Sequence, residues 1–503
     1  MRITAKTRPR YTLLGTGARS GASLVGAVCV LWVGAAAWPY TVDDAFITAR
    51  YARNLAAGLG YAMNPGQASD GVTGPLWLLP QVAAYRIGVN PIAVAKALGL
   101  ACAMTAAWCV LGKLRSRTGG RRAAWAGALL IALSPSLGTW AIAGLETGLA
   151  TLLVTLAALA STRTGSPAGA PLGACVGGLA WLRPELALLG AVLIGHATLR
   201  DRRAGAIAFA VASTAACALL AFRLTMFGDP LPLAFRAKLG SLEHGVRHAA
   251  TAVVLATSLA GVGLAAVGAL RGRTGDRAIA VALLAHLLAV VLAGGDWMPG
   301  YRLLVPVLPL YAMLAALGAS RLWMHRPVLA ALAIAITCTL PALDLATRIE
   351  ELRASALHRS RLAPLARELA GGAHVVALLD VGYLGLLSGA EVLDLGGLTD
   401  PAIARMPGGH LDKRLDPAYV RARDPDVLVL HSASPPRIDA SGALLAFAGY
   451  PVERRLAAMP FVRERFRVQT VIEYAPGYHY VVLARSTASR PEAVGEREKR
   501  HAE

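Results

Sequence analysis

A polytopic all-α membrane bundle followed by a small extracytoplasmic α/β domain is the architecture this sequence predicts. Three observations predict it. Of 503 residues, 55% are hydrophobic and 16% are charged, against about 25% charged in ordinary soluble domains. The mean hydropathy is +0.52. Apolar stretches long enough to cross a bilayer recur up to residue 343, and beyond it the pattern shortens and mixes with charge.

The apolar stretches fall at 21–39, 92–112, 123–139, 145–160, 168–182, 185–199, 204–222, 249–270, 277–293, 303–319 and 327–343. A spanning helix needs about 17–25 such residues, so the expected count is about eleven. Lys and Arg placement sets the expected orientation. The N-terminal stretch 1–20 carries Arg2, Lys6, Arg8, Arg10 and Arg19, and alternate later loops carry Lys113 to Arg122, Arg163, Arg200 to Arg203, Arg271 to Arg277, and Arg321 with Arg326. The positive-inside rule makes that face cytoplasmic. The expected localisation is a bacterial inner membrane, with the N-terminus cytoplasmic and the C-terminal domain outside. The net charge of +20 is then a topology signal. It does not mark a nucleic-acid surface, because the charges sit in separate membrane-edge loops. No cleavable signal peptide is evident. The six cysteines all lie in apolar stretches without metal or disulfide spacing, and read as core residues.

Four regions are expected: the basic N-terminus 1–20, a membrane module 21–343 with an outer loop 40–91, an outer domain 344–485, and a polar disordered tail 486–503. An amphipathic helix is expected at 345–369, and strands at 375–379, 392–395, 427–431, 468–473 and 480–485. No GxGxxG follows a strand and no GxxxxGK[ST] occurs, so no nucleotide cofactor is expected.

The unusual chemistry gathers in the outward loops. Asp43 and Asp44 follow an apolar span directly, in Thr41-Val42-Asp43-Asp44-Ala45-Phe46. Adjacent carboxylates at the edge of a low-dielectric slab repel unless a cation intervenes, and a chain tolerates them where they bind, position or take a proton. The same loop holds Arg50, Arg53, Asn54, Asn64 and Asp70. Its stretch 45–57 has helical spacing and is expected to lie along the membrane interface. Other outward loops supply Glu146, Arg183 with Glu185, Arg223, Asp229, Lys238, and Asp296 with Tyr301 and Arg302.

Each residue also has a plain structural reading. Arg183 and Glu185 suit a local ion pair. Arg223, Arg236 and Lys238 suit snorkelling anchors. Glu146 suits a helix N-terminus, Asp296 a turn, and Asp43-Asp44 a helix cap. Trp77 and Trp297 read as interface-belt residues. Taken together, carboxylates and cations on one face form the layout needed to move a group off a lipid-borne phosphate ester. Arg and Lys hold the phosphate, and a carboxylate takes the acceptor's proton or holds a metal. The expected roles are Asp44 as catalytic carboxylate and Asp43 as orienting or metal-binding neighbour. Lys238, Arg302, Arg183 and Arg223 are expected on the donor phosphate, with Glu146, Asp296, Tyr301 and Arg53 in support. A divalent cation (Mg, Mn or Ca) is the one cofactor such a pair would hold.

These motifs resemble a known family. The acidic pair in the first outer loop resembles the GT-C superfamily of membrane glycosyltransferases. The run from Asp43 through Ile47-Thr48-Ala49-Arg50-Tyr51-Ala52-Arg53-Asn54, with Asn64-Pro65-Gly66 and Gly71-Val72-Thr73-Gly74-Pro75-Leu76-Trp77, is more specific. With Gly144-Leu145-Glu146-Thr147, Leu182-Arg183-Pro184-Glu185, Phe227-Gly228-Asp229-Pro230, Gly295-Asp296-Trp297-Met298-Pro299-Gly300-Tyr301-Arg302 and Leu395-Gly396-Gly397-Leu398-Thr399-Asp400, it resembles the mycobacterial-type terminal β-(1→2) arabinofuranosyltransferase group. The resemblance implies a polyprenyl-phosphate sugar donor, an arabinofuranose cargo, and an acceptor that is an envelope glycan, lipid or protein. It also implies a base or metal ligand at Asp43 or Asp44. Two other readings compete: a transporter or flippase for a lipid-linked sugar, which calls for broken helices and buried charge, and a non-catalytic envelope or motor-control protein with the same fold.

Overall fold

The computed structural model describes residues 21–117, 120–238, 241–296, 298 and 300–486. The expected basic N-terminus, the expected tail beyond residue 486, and Trp297 lie outside them.

Among the described residues, seventeen α-helices lead to the sheet region, the first sixteen in chain order being α1 (Gly21–Ala36), α2 (Asp43–Ala56), α3 (Leu78–Arg86), α4 (Pro91–Arg115), α5 (Gly120–Ala132), α6 (Pro135–Ile142), α7 (Thr147–Ser161), α8 (Gly169–Ala180), α9 (Ala187–Arg200), α10 (Arg202–Phe227), α11 (Leu233–Ala237), α12 (Leu242–Ala252), α13 (Leu259–Leu270), α14 (Thr274–Leu292), α15 (Leu308–His325) and α16 (Pro327–Ser360). The chain divides into two compact units. The first takes in residues through Ala45, Thr73–Pro230, and the later stretch ending at Ser355. The second takes in Phe46–Val72, the stretch beginning at Leu231, and the chain from Ala356.

The first unit is a helical bundle, and with its apolar helices the chain is a multi-pass membrane protein. Every expected apolar stretch falls on a helix. Yet among the described residues only five helices are long and apolar enough to cross a bilayer, or up to seven if each bent pair is one span. The expected eleven is therefore not reached by length and composition. Three apolar helices are short: Gly21–Ala36, Thr147–Ser161 and Gly169–Ala180. Two stretches break, α5 against α6 by 60° at Ser134-Pro135, and the Leu242–Thr257 helix against α13 by 84°. Proline forbids the next helical hydrogen bond in the first break. In the second, Ser258 adopts a positive φ of 55° and its hydroxyl accepts from Gly261 N at 3.1 Å to start α13. α13 packs on α15 through facing glycines: a Cβ on Gly268 would meet the Leu314 carbonyl, and one on Gly318 the Leu264 carbonyl. Small residues of this kind let membrane helices approach closely.

The helix boundary expected near residue 344 is absent. α16 continues through Pro341 to Ser360, and only then does Ala363–Gly372 follow. The six cysteines are free; Cys102, Cys109 and Cys338 are buried, whereas Cys217 is exposed rather than in the core. Trp77 is 1% exposed and its indole N–H donates to Gly144 O at 3.0 Å, so it is a packed core residue and not a belt residue.

The second unit carries a five-stranded sheet, β1 (Val375–Leu378), β2 (Glu391–Asp394), β3 (Val427–Ser432), β6 (Phe466–Ala475) and β7 (Tyr478–Arg485), ordered β2-β1-β3-β7-β6. β4 (Arg437–Ile438) and β5 (Leu444–Ala446) form a separate pair. β2, β1 and β3 run parallel, and β7 joins β3 antiparallel. Leu393, Leu428, Leu430 and Val481 fill the core against Val452 and Leu456.

Buried polar groups lock this unit. Arg50 is 1% exposed; it donates to Met63 O at 2.8 Å, to Ala390 O at 2.7 Å, and to the Gly385 carbonyl. Burial lowers its pKa to about 10, so it stays charged at neutral pH. Asn64 pairs reciprocally with the Val392 backbone at 2.8 Å in each direction. The expectation of an interfacial α2 is thus corrected: its residues from Ile47 to Ala52 are buried in protein. The Leu395-to-Asp400 motif is an aspartate-centred turn. Asp394 accepts from Gly396 N, Gly397 N, and Thr399 N and Oγ1. Burial still pushes its carboxyl up to about 6. His431 bridges Glu453 Oε1 at 2.7 Å and Asp380 Oδ2 at 3.0 Å. Burial opposes its charge, but the flanking carboxylates outweigh this and raise the imidazole well above its ordinary value.

Candidate active site

The acidic pair opens α2, with Asp43 and Asp44 in its first turn. Three features of the first unit fix the approach to it. Val42 N donates to Ala143 O at 3.1 Å. Gly144, at φ 91°, sits where a Cβ would lie 2.7 Å from Ala45 Cβ, so only glycine lets this turn close on the start of α2. Lys96, in α4 and 5% exposed, donates to Trp38 O at 2.7 Å and Tyr40 O at 2.6 Å. It thereby holds the carbonyls released where α1 ends.

Facing the pair is the loop before α15. Arg302 Nε donates to Asp296 Oδ2 at 2.9 Å, and its Nη1 lies 3.9 Å from Asp44 Oδ2. The second separation is an ion-pair distance rather than a hydrogen bond. Met298 N caps the other Asp296 oxygen at 3.3 Å. The Arg302 guanidinium lies 5.6 Å from the Trp140 ring centroid. Tyr301 adopts a left-handed φ of 54°, a strained conformation for a bulky residue, and ends the loop. Below it, the buried His286 imidazole hydrogen-bonds Leu303 O at 2.7 Å and so fixes the turn carrying Arg302.

A second cluster adjoins the first. Arg183 is 4% exposed. Its Nη1 donates to Glu185 Oε1 at 2.7 Å, and its Nε is 3.0 Å from Glu146 Oε1, an ion pair off the line of a hydrogen bond. Arg183 also feels the charge of Asp296. The result is an alternating chain: Glu185, Arg183 and Glu146 beside Asp296, Arg302 and Asp44. Carboxylates outnumber guanidinium groups in it, and both arginines are already matched. Arg183, expected to support a donor phosphate, lies between Glu146 and Glu185.

Arg223 is buried, and its Nη2 donates to Thr73 O at 3.1 Å. Arg53 and Lys238 belong to the second unit, Arg53 donating to Leu386 O at 3.0 Å and Lys238 ending α11. Three participants escaped the sequence reading: Lys96, Trp140 and His286. Lys96 and His286 are single polar residues inside otherwise apolar helices, which is the signal that would have found them.

Among the described residues, no group of three or more His, Cys, Asp or Glu gathers to hold a metal ion. The cation beside Asp44 is a guanidinium.

Two solved structures share this fold. One is ArnT from Cupriavidus metallidurans bound to undecaprenyl phosphate, with a TM-score of 0.59 and 14% identity, covering 93% of this chain and 99% of that chain. The other is the same protein in the apo state, with a TM-score of 0.55 and 13% identity, covering 93% and 98%. Likeness at this identity establishes the fold. Residues 350–490 match a family described as a domain of unknown function, DUF8728. No curated protein matches.

Removing the central cation of the second cluster tests its role. Arg183→Gln leaves Glu146 and Glu185 facing each other in a buried setting, where losing one partner costs about 3–5 kcal/mol. The expected result is a clearly lower thermal midpoint in detergent. Glu185→Gln, which leaves Arg183 paired with Glu146, should shift it much less. Equal midpoints for Arg183→Gln and wild type would contradict this.

Proposed function

We propose that the chain is a GT-C-type membrane glycosyltransferase that moves a sugar from a polyprenyl-phosphate donor to an envelope acceptor on the extracytoplasmic side. The observation that carries this reading is the Asp43-Asp44 pair at the head of α2, facing an arginine held by its own aspartate. The motif resemblance supports it, as does a fold shared over nearly the whole chain with a protein bound to undecaprenyl phosphate. Arabinofuranose is the cargo the motifs favour.

In the proposed reaction the acceptor hydroxyl attacks the anomeric carbon. The new glycosidic C–O bond forms as the bond between that carbon and the phosphate oxygen breaks. The hydroxyl proton passes to the Asp44 carboxylate, and polyprenyl phosphate departs. Arg302 orients Asp44 and offers charge to the departing oxyanion. Asp43 orients the acceptor. Arg223 and Lys238 are donor-phosphate candidates by residue type and motif.

One observation favours a second reading. A lipid-linked sugar flippase calls for broken helices, and two bent apolar pairs are present. Asp44→Asn separates the two. If Asp44 is the base, purified Asp44→Asn retains its thermal midpoint and binds polyprenyl-phosphate sugar, but loses transfer by about 100- to 10,000-fold. Transfer at the wild-type rate would remove Asp44 from the chemistry.

The orientation has its own check. Ser434 is exposed in the second unit. In a background whose native cysteines are replaced, Ser434→Cys should react with an impermeant thiol reagent in intact cells, with any outer membrane permeabilised. Labelling only after inner-membrane lysis would place that unit, and the proposed chemistry, on the cytoplasmic side.

A further inference from the structure

A second chemical feature of the first unit lies at the other end of α4. Lys96, near the acidic pair, and Arg115 are nineteen residues apart on this helix. At 1.5 Å per residue that is about 28 Å, close to the roughly 30 Å hydrocarbon thickness of a bilayer. The two positions therefore correspond to opposite headgroup levels.

At the Arg115 end is a cavity of about 910 Å³, toward the upper end of the roughly 300–1,000 Å³ usual for small-molecule sites. Its mouth carries Arg115, Arg121 and Arg122, all exposed. A fourth lining arginine, Arg117, is already neutralised, lying 2.5 Å from the buried Asp276. Among the described residues the other three have no ion pair, so like charges stand together beside an apolar medium. That is costly unless an anion joins them. Guanidinium forks match phosphate oxygens in pairs.

The rest of the lining is of a different kind. Trp125 and Trp323 are 47% and 39% exposed, and Leu129 and Met324 are 43% and 60% exposed. A positive-inside topology signal needs charge alone. It does not account for a cavity with two indoles and an apolar wall beneath three unmatched cations. Tryptophans favour headgroup depth, and an apolar wall suits acyl chains. A ligand that is anionic at one end and apolar at the other meets both halves. Basic pockets between membrane helices bind such headgroups.

We infer that this cavity is a binding site for an anionic glycerophospholipid. Its phosphate lies against Arg115, Arg121 and Arg122, and an acyl chain runs along Leu129 and Met324. The occupant is a structural or regulatory lipid of the opposite leaflet, not the sugar donor.

The test uses delipidated full-length protein with phosphatidylglycerol, bound lipid being counted by native mass spectrometry. Phosphatidylglycerol should be retained and phosphatidylcholine should not. Inorganic phosphate at millimolar concentration should fail to displace it, and undecaprenyl phosphate should compete poorly. Arg121→Gln/Arg122→Gln alters only exposed side chains and should weaken retention about tenfold or more. Trp125→Ala should weaken it independently. Equal retention of phosphatidylcholine, displacement by inorganic phosphate, preferential binding of undecaprenyl phosphate, or unchanged retention in both variants would each overturn the assignment.

Discussion

Charge held in a low-dielectric bundle is the constraint on which the rest of this structure depends. A lone carboxylate or guanidinium there is prohibitively costly, so each must be matched at close range. The first unit meets this with an alternating arrangement. Arg183 lies between Glu146 and Glu185, and Arg302 between Asp296 and Asp44. The loops that carry these residues are otherwise short and rich in Gly and Pro. Their positions follow from where the charges must meet. Gly144 closes one loop onto the acidic helix, Lys96 ties down the chain entering it, and His286 holds the turn after Arg302.

The same constraint divides the first-loop motif into two kinds of residue. Asp43 and Asp44 are set at the head of α2, where charge is balanced by an arginine from elsewhere in the first unit. Arg50, Asn54 and Asn64 satisfy backbone carbonyls and amides of the second unit. Seven residues of one helix thus separate the proposed chemistry from the architecture. The Asp394 turn of the second unit is likewise architectural, since four donors converge on its carboxylate.

Much of this was legible in the sequence because the dominant signal is burial. Apolar stretches mark helices in the first unit, and the short apolar runs at 375–379 and 427–431 coincide with β1 and β3. Hydropathy does not change across the chain bends, so Pro135 was the one sequence signal for the first and the second had none. The 84° turn at Ser258 lies inside one apolar run. The opposite error occurred at 343, where polarity rises but α16 continues as one helix. In the candidate site, Asp44, Asp296, Arg302, Glu146 and Arg183 were legible as charge in the wrong medium. The Arg183–Glu185 pair was legible from their adjacency in the sequence, whereas Glu146 as a second partner of Arg183, and Arg302 between Asp296 and Asp44, join residues from distant loops and were not. Trp140 was invisible, since an indole in an apolar stretch is ordinary until a guanidinium is found beside its ring.

The Asp43-Asp44 pair is the proposed place where a sugar leaves a lipid phosphate. The most direct measurement is a cryo-electron-microscopy map of the protein with a slowly reacting polyprenyl-phosphate sugar. The expected map has the anomeric carbon beside the Asp44 carboxylate, within about 3–3.5 Å of an acceptor oxygen when one is present, and the phosphate on neighbouring cations. A map with the donor sugar away from α2, and with Asp43 and Asp44 touching only protein, would contradict it.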